Sequence, residues 1–365
     1  GKDCSTAEIN PLFSDSVYID RLSRIPAVME MPYNDIIRKF IDMYAGRLRN
    51  QVSFMLSACN FYMPIFEEAL DAYGLPLELR YLPIIESALN PSAVSRAGAS
   101  GLWQFMIGTG KIYGLESNSL VDERRDPIKA TWAAARYLKE MYDIYGDWNL
   151  VIAAYNCGPG TINKAIRRAN GETDYWKIYN YLPKETRGYV PAFIAANYVM
   201  TYYCDHNICP METNIPASTD TVQVNKNLHF EQIADLCNVP LDQIKSLNPQ
   251  YKKQIIPGDN KPYTLRLPIE AISTFIDRQD TIFAHRADEL FRNRKTVAVK
   301  EISPSTRRAT TAVAGKGKPT YYKIKSGDTL SSIAEKYGVR VKDIQRWNGM
   351  SNTKIAAGKR LKIYK

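Results

Sequence analysis

The sequence predicts a mainly α domain followed by two small α+β units. Residues 35–205 carry apolar residues at helical spacing and show little sign of strands. Residues 220–268 and 321–364 each follow the order strand, helix, helix, strand, and two such βααβ copies form an internal repeat. Residues 293–318 are rich in Lys, Arg, Thr, Ser, Ala and Gly, which is typical of a linker between folded units.

Helices and strands are expected at these positions along the chain. Residues 1–30 look irregular, and 1–33 is assigned as an N-terminal extension. The α domain, 34–215, is predicted to contain helices at 34–44, 64–73, 77–86, 127–145, 147–154 and 189–203. The first βααβ unit, 216–268, has predicted helices at 230–237 and 241–247 and a closing strand at 263–268. A helix and basic linker at 269–319 lead to the second unit, 320–365, with helices at 329–337 and 341–347 and a closing strand at 360–364.

The net charge of +10 is unevenly distributed over the 365 residues. Residues 286–365 carry +14, whereas residues 1–285 carry −4. This opposition of sign predicts that the C-terminal end contacts a polyanion, which at this point can be nucleic acid, an anionic membrane or an anionic cell-wall polymer. No apolar run approaches the roughly 20 residues that a membrane-spanning helix needs.

The few histidines and the cysteine spacing argue against metal sites and His-dependent triads. His206, His229 and His285 do not pair with Cys or Glu at metal-ligand spacing, and none lies in a Gly-rich catalytic context. The six cysteines form no repeated Cys-x-x-Cys pairs, which disfavours a cysteine metal site. No cofactor is expected. Cys204 and Cys209 are close enough in sequence to bridge, but spacing alone does not decide this.

Glu86 is the first residue that can carry chemistry. It lies where an apolar helix is predicted to end. Both the negative end of the helix dipole and the apolar neighbours would keep its carboxyl protonated near neutral pH. A protonated carboxyl in a cleft is what general-acid cleavage of a glycosidic bond needs. The alternative, which composition alone favours, is an exposed glutamate at a helix end.

A second motif is Gly-Leu-Trp-Gln-Phe-Met at 101–106. Gln104 offers an amide to sugar hydroxyl or acetamido groups, and Trp103 or Phe105 offers a face for stacking. The alternative is a buried aromatic loop between helices.

A third motif is Ala-Ala-Tyr-Asn-Cys-Gly at 153–158. Tyr155 and Asn156 are placed to point into a cleft from the end of a helix, although Asn and Gly there also suit a simple helix C-cap. Cys157 has no evident partner base and is interpreted as structural.

The order and spacing of the motifs are more specific than any motif alone. Glu86-Ser87, the motif at 101–106, Ala-Tyr-Asn at 154–156 and Glu-Thr-Arg-Gly-Tyr-Val-Pro at 185–191 form one ordered series. The series resembles the catalytic domain of the soluble lytic transglycosylase family over roughly residues 30–205, and the βααβ units resemble LysM peptidoglycan-binding modules. The resemblance implies a mainly α, lysozyme-like catalytic domain followed by small α+β LysM modules.

The resemblance also implies a role for each matching residue. Glu86 matches the single catalytic acid/base, and Ser87 matches the neighbour that helps to hold the reacting group. Trp103 stands where Met is common in the family. The expected substrate-binding residues, besides Ser87, are Gln104, Phe105, Met106, Tyr155, Asn156 and Tyr189.

The motifs supply one carboxylate, whereas ordinary glycosidases use two. The resemblance implies that Glu86 protonates the oxygen of the β-1,4 bond between N-acetylmuramic acid (MurNAc) and N-acetylglucosamine (GlcNAc), with assistance from the substrate's acetamido oxygen. Ionised Glu86 then takes the proton of the muramoyl 6-hydroxyl, which attacks the anomeric carbon and leaves a 1,6-anhydromuramoyl end. A muramidase of the goose-lysozyme kind, in which water attacks instead, uses similar motifs. Asp122, Asp126 and Asp147 are interpreted as structural.

The second LysM-like unit is expected to bind glycan through two loops. The implied contacts are Gly327, Asp328, Thr329, Leu330, Asn352 and Ile355. The Gly-Asp-Thr stretch is equally a turn followed by a helix N-cap, and both interpretations can hold. The first unit has Lys226-Asn227-Leu228 instead, so its glycan binding is in doubt, and packing on the catalytic domain is the alternative.

The expected partner is the peptidoglycan glycan strand, and the expected location is the periplasm or outer membrane of a bacterium. The protein is expected to be a monomer that does not bind nucleic acid, because two sugar-binding modules account for the basic end. Membrane association is left open, through a lipid on Cys4 or a removed signal, although Gly-Lys-Asp before Cys4 is not the usual context for lipidation. The alternative from another class is a silent glycan-binding scaffold, against which the retention of Glu86 argues.

Overall fold

The computed structural model describes residues 9–291, 320–325, 328–350, 352–353 and 355–364. They belong to two compact units, Gly1–Ile302 and Ser303–Lys365. Cys4, Gly327 and the predicted linker at 293–318 lie outside the described residues.

The first part of the larger unit is a helical domain, as the sequence predicts. Short 3-10 turns at Leu77–Tyr81 and Glu123–Arg125 precede its fourth and sixth helices. Its helices are α1 (Asp15–Ser23), α2 (Asp35–Ala45), α3 (Arg49–Ala72), α4 (Leu82–Ser87), α5 (Ile107–Ile112), α6 (Pro127–Tyr145), α7 (Trp148–Cys157), α8 (Pro159–Arg168), α9 (Tyr175–Ile178), α10 (Lys184–Arg187) and α11 (Tyr189–Thr201).

Helix α11 is the centre of this domain. Eleven of its thirteen residues are buried, so the helix is apolar on all sides and needs neighbours on all sides. Helices α2, α4, α7 and α10 pack against it. The core therefore fixes where the ends of α4 and α7 meet the beginning of α11, and the sequence motifs lie at these positions.

Two predictions in this domain need correction. The segment 1–30 is not irregular throughout, because α1 buries Tyr18 and Leu22, which are four residues apart on one helix face. The helix predicted at 64–73 is the second half of α3, which begins at Arg49 and continues through Pro64. The preceding turns bury Val52 and Met55, and this packing extends the helix on the N-terminal side of the proline.

The first βααβ unit has the predicted plan with one addition. Its elements are β1 (Thr219–Val224), β2 (Asn227–His229), α12 (Phe230–Cys237), α13 (Leu241–Leu247), β3 (Ile255–Pro257) and β4 (Tyr263–Pro268). Strand β1 pairs antiparallel with β4, as the plan requires. The second antiparallel pair, β2 with β3, was not predicted from the sequence. Three helices follow, α14 (Ile269–Asp277), α15 (Gln279–Ala284) and α16 (Ala287–Leu290), where the sequence predicts helix.

This first unit packs on the helical domain, as one of the two sequence-based alternatives predicts. Leu120 and Val121 of the helical domain belong to the hydrophobic core of the βααβ unit. Val121 also forms an antiparallel β-bridge with Tyr251. The two parts therefore share a core and a backbone contact.

The second unit is a separate βααβ fold. Strand β5 (Thr320–Lys323), helices α17 (Leu330–Tyr337) and α18 (Val341–Trp347), and strand β6 (Arg360–Ile363) follow the predicted order. Strands β5 and β6 pair antiparallel. Its core consists of Ile324, Leu330, Ile333, Ala334, Ile344, Leu361 and Ile363.

Two findings concern the cysteines and membrane insertion. Cys204 is a free thiol and Cys209 is disulfide-bonded, so these two residues do not form the bridge that the spacing leaves open. Across the described ranges, none of the helices combines the length and apolar character that a membrane crossing requires.

We predict that Gly258→Ala destabilises the protein by about 1–3 kcal/mol. A Cβ atom at Gly258 would lie 2.3 Å from the carbonyl oxygen and 2.5 Å from the nitrogen of Lys226, both backbone atoms that cannot move aside cheaply. Urea unfolding measures the change in free energy of unfolding. Gly160→Ala is the control, because a Cβ there meets nothing within 4 Å. Equal effects of the two substitutions would contradict the close approach of the Gly258 backbone.

Candidate active site

Glu86 lies in the last turn of α4, and the chain leaves the helix immediately after Ser87. Ala88 and Leu89 both adopt left-handed backbone conformations, with φ of 51° and 58°, which ends the helix. The Ser87 hydroxyl lies 3.0 Å from the carbonyl oxygen of Pro83 and 2.9 Å from that of Leu102. Ser87 therefore ties the end of α4 to the motif at 101–106.

The environment of Glu86 favours a protonated carboxyl. Burial raises its pKa from 4.5 to about 7; the hydroxyl of Tyr189 opposes this shift by donating a hydrogen bond to Oε1, and the negative charge of Glu185 adds to it. The C-terminal end of α4 offers carbonyl oxygens and no N–H donors, so the helix itself does not stabilise a carboxylate. The protonated form that the sequence predicts is therefore accessible near neutral pH.

The loop at 101–106 is held by its own polar groups. Gln104 adopts a left-handed conformation with φ of 51°, which is uncommon for a residue with a side chain. Its side-chain NH₂ donates to the carbonyl oxygens of Gly101 (2.8 Å) and Ala93 (3.2 Å). Gln104 thus fixes the conformation of the loop. The sequence predicts only a sugar contact for this residue.

The aromatic residues of this loop face inward. Trp103 is fully buried, with its indole N–H donating to Thr131 Oγ1 at 2.9 Å, and Phe105 is only 3% exposed. The prediction that one of these rings offers a stacking face is therefore wrong, because the helical core encloses both rings. Met106, by contrast, is 46% exposed.

Residues of the third and fourth motifs form hydrogen bonds with the other motifs. The hydroxyl of Tyr155 donates to the carbonyl oxygen of Trp103 at 2.7 Å. Thr186 Oγ1 donates to Asn156 Oδ1 at 2.9 Å. Together with the contact between Tyr189 and Glu86, these bonds bring the four motifs of the ordered series to one place.

The three neighbouring aspartates have structural partners, as interpreted from the sequence. Asp122 forms a buried ion pair with Arg124; burial alone would raise its pKa, but the hydrogen bonds and charge of Arg124 lower it. Asp126 accepts from two backbone N–H groups at the start of α6. Asp147 caps α7 by accepting from the N–H of Leu150.

Three residues of the site were not recognised in the sequence. Glu185 and Thr186 begin the fourth motif; the negative charge of Glu185 helps to raise the pKa of Glu86, and Thr186 donates a hydrogen bond to Asn156. Arg124 donates to the carbonyl oxygens of Gly98 (2.8 Å) and Phe105 (2.9 Å) and thereby anchors the segment that contains the second motif. The sequence signal for Arg124 is its proximity to Asp122, an opposite charge two residues away.

In the second βααβ unit, several predicted glycan contacts have structural partners. The backbone N–H of Ser332 donates to Thr329 Oγ1 at 3.1 Å, so Thr329 caps α17. The Asp328 carboxylate accepts from the Tyr322 hydroxyl and from the Lys325 N–H, both at 2.8 Å. Leu330 lies in the core of the module, and Ile355 packs against that core. The backbone carbonyl of Asn352 accepts a hydrogen bond from the side chain of Gln345.

Fold and site together define a lytic transglycosylase. Residues 63–178 match the family described as Transglycosylase SLT domain, residues 218–284 the Lytic transglycosylase MltD, LysM-like domain, and residues 322–363 the LysM domain. The chain is 31% identical over 341 residues to Membrane-bound lytic murein transglycosylase D of Escherichia coli strain K12, and the match covers 92% of this chain and 70% of that protein. The chain belongs to the family of that transglycosylase.

Two further similarities cover smaller shares of the chain. The Soluble lytic murein transglycosylase of Escherichia coli strain K12 is 33% identical over 124 residues, which are 32% of this chain and 19% of that protein. The crystal structure of the 70 kDa soluble lytic transglycosylase from Escherichia coli aligns with a TM-score of 0.34 and 28% identity, over 40% of this chain and 25% of that one.

We expect Tyr189→Phe to shift the pH dependence of cleavage upward. The Tyr189 hydrogen bond lowers the pKa of Glu86, so its removal raises that pKa further above its present value of about 7. Activity that needs protonated Glu86 is present below this pKa and lost as the pH rises through it, so the variant retains activity to higher pH. The measurement is kcat/KM against pH on a soluble glycan fragment.

The matched control is Tyr155→Phe, because the Tyr155 hydroxyl donates to a backbone carbonyl and not to Glu86. The alkaline limb of the pH profile of this variant should lie at the same pH as that of the wild type. A limb that stays in place or moves to lower pH in Tyr189→Phe would contradict the assignment of the limb to Glu86.

A second prediction concerns stability, since a raised carboxyl pKa opposes folding at high pH. The native pKa of about 7 exceeds the ordinary value of 4.5, so the contribution of Glu86 to stability is full below pH 4.5 and is lost as the pH rises through 7. Relative to Glu86→Gln, the wild type should lose up to about 3 kcal/mol of unfolding free energy between pH 4 and pH 8. Urea unfolding at both pH values measures this difference, with the exposed Glu270→Gln as a control that should follow the wild type. A difference between wild type and Glu86→Gln that does not change with pH would refute the raised pKa.

Proposed function

We propose that Glu86 is the single acid/base of this peptidoglycan lytic transglycosylase. The substrate bond is the MurNAc-β-1,4-GlcNAc linkage, and the product carries a 1,6-anhydromuramoyl end. The carboxyl at the end of α4 is the observation that carries the proposal, because its pKa of about 7 provides both protonation states near neutral pH. One group with both states accessible can act first as an acid and then as a base.

In the first step, protonated Glu86 donates to the glycosidic oxygen as the bond to the anomeric carbon breaks. The substrate's acetamido oxygen stabilises the positive charge that develops at that carbon, so no second carboxylate is needed. The positions of the nearby aspartates agree with this, because Asp122 is paired with Arg124, and Asp126 and Asp147 cap helices.

In the second step, ionised Glu86 accepts the proton of the muramoyl 6-hydroxyl, whose oxygen bonds to the anomeric carbon. The hydrogen bond from Tyr189 stabilises the carboxylate during this interval. The acid is regenerated at the end of the step, and no water is consumed.

Of the remaining site residues, one is exposed and contacts the glycan in this proposal. The others hold the loop that carries this residue. The exposed residue is Met106. Gln104 and Phe105 maintain the shape of the loop, while Tyr155 and Asn156 join it to the fourth motif through Trp103 and Thr186. Ser87 links this loop to the helix that carries the acid.

The LysM domain at 322–363 takes part in peptidoglycan binding by the chain. We propose that the turn at Asp328 and Thr329 and the loop at Asn352 hold the glycan, with Leu330 and Ile355 supporting them from the core. Residues 320–365 carry a net charge of +8, which favours an anionic wall or membrane surface. We place the protein as a monomer in the bacterial cell envelope, periplasmic or at the outer membrane.

We predict that Glu86→Gln abolishes the release of fragments from purified peptidoglycan. Glutamine keeps the size of the side chain but can neither donate the acid proton nor accept one. Mass spectrometry of the released muropeptides measures cleavage, and the wild type should yield 1,6-anhydromuramoyl ends. Pelleting with sacculi should show that the variant still binds, because the LysM domain is unchanged.

Glu270→Gln, an exposed change on α14, serves as the matched control and should cleave at the wild-type rate. Normal cleavage by Glu86→Gln would disprove the acid assignment. Reducing ends from the wild type would support a hydrolytic muramidase, and no release by the wild type would support a glycan-binding scaffold.

A further inference from the structure

We propose that the first LysM-like module braces the substrate loop of the catalytic domain through Asp122 and Arg124. In this proposal the two residues are positioning residues, and the module contributes to cleavage without touching the substrate. The inference rests on the proposed function, since the braced loop is the one that carries Gln104 and Met106.

In this module, the two loops that would hold glycan pair with each other. They correspond to the turn before the first helix and to the loop after the second, the places where we propose glycan contacts in the other module. In the first module these loops contain β2 and β3, which pair antiparallel from Asn227 opposite Pro257 to His229 opposite Ile255. Gly258 lies against the backbone of Lys226 so closely that a Cβ has no room. The arrangement favours a structural role for this module.

The loop between α13 and β3, residues 248–254, contacts the catalytic domain through its backbone. The N–H of Asp122 donates to the carbonyl oxygen of Gln250 at 2.9 Å, and the N–H of Lys252 donates to that of Leu120 at 2.8 Å. Between these bonds, Val121 and Tyr251 form a β-bridge, and both residues are buried. The segment that contains Asp122 is thus fixed by a short antiparallel pairing with the module.

Side chains extend this docking. Glu116 of the catalytic domain accepts a hydrogen bond from the Tyr263 hydroxyl at 3.0 Å and forms an ion pair with Lys261 at 2.7 Å. Both partners belong to the module, Tyr263 on β4 and Lys261 just before it. Removing these two groups weakens the docking while leaving the backbone pairing and the catalytic residues in place.

From Asp122 the connection continues directly to the substrate loop. The Asp122 carboxylate receives two hydrogen bonds from Arg124, at 2.9 Å and 2.8 Å, and Arg124 in turn donates to the carbonyl oxygens of Gly98 and Phe105. Gly101 lies so close that a Cβ would be 1.8 Å from the carbonyl oxygen of Arg124. Both members of the ion pair are buried, and in such surroundings hydrogen bonds hold geometry strongly.

The test compares a docking variant with a matched control in the full-length protein. The docking variant combines Lys261→Met with Tyr263→Phe, and the control is Lys245→Met, which removes an ion pair with Asp242 on α13 of the same module. We expect the docking variant to lower kcat on a soluble glycan fragment by about tenfold, because small displacements of positioning groups have effects of this order or larger. The pH of the alkaline limb should not move, because the surroundings of Glu86 are unchanged, and the control should match the wild type.

A double-mutant cycle that combines the docking variant with Arg124→Lys distinguishes coupling through Arg124 from general weakening of the fold. Lysine keeps the charge but cannot donate to Asp122 and two carbonyls in the planar arrangement of arginine. If the module acts through Arg124, adding the docking changes to Arg124→Lys lowers kcat by no more than about a further twofold. If Arg124→Lys does not fold, Asp122→Asn takes its place in the cycle.

Two results would overturn the proposal: a docking variant with wild-type kcat, or effects of the docking and Arg124 changes that multiply. Neither depends on the acid assignment, because Glu86→Gln tests that separately. A failure of the brace therefore leaves the proposed reaction standing, and a failure of the acid assignment shows in Glu86→Gln alone.

Discussion

In the proposed reaction, the chemistry depends on one partly buried carboxyl group, that of Glu86 at the C-terminal end of a short helix. Burial makes ionisation of Glu86 unfavourable, and the helix end adds carbonyl oxygens where an anion would need donors. The Tyr189 hydroxyl offsets part of this cost, which keeps the pKa near 7 instead of still higher. In the proposed reaction the carboxyl can therefore change protonation state within one cycle, whereas a fully exposed glutamate stays ionised at neutral pH.

The rest of the helical domain serves to maintain this position. Helix α11 is buried along its length, so Tyr189 at its beginning has a fixed place next to α4. Hydrogen bonds among Tyr155, Trp103, Ser87 and Leu102 join the neighbouring motifs without using exposed groups. A buried network in which each group has a partner defines one arrangement, because any other arrangement leaves polar groups unpaired. For the pair of Asp122 and Arg124, loss of one partner would cost about 3–5 kcal/mol.

The two βααβ units share one plan but differ in the arrangement of their loops. In the first unit an extra strand pair closes the loops, and the long loop attaches to the catalytic domain. The second unit carries a strong positive charge. Glu116, Leu120 and Val121, the contact surface on the catalytic side, are supplied by the segment before α6, so the docking is a property of both partners.

The sequence by itself determined the class of fold, the repeat, the distribution of charge and the catalytic candidate. Helical periodicity predicts α6 and α11, and the ordered motifs identify Glu86, because these signals lie in residues close together in the chain. Periodicity does not report which residues from distant segments meet. The tertiary structure therefore decided that Trp103 and Phe105 face the core and that Tyr189 donates to Glu86. It also decided that the backbone N–H of Asp122 donates to the carbonyl oxygen of Gln250. Each of these outcomes depends on a contact between segments brought together by burial of apolar surface, and local sequence carries no record of such contacts.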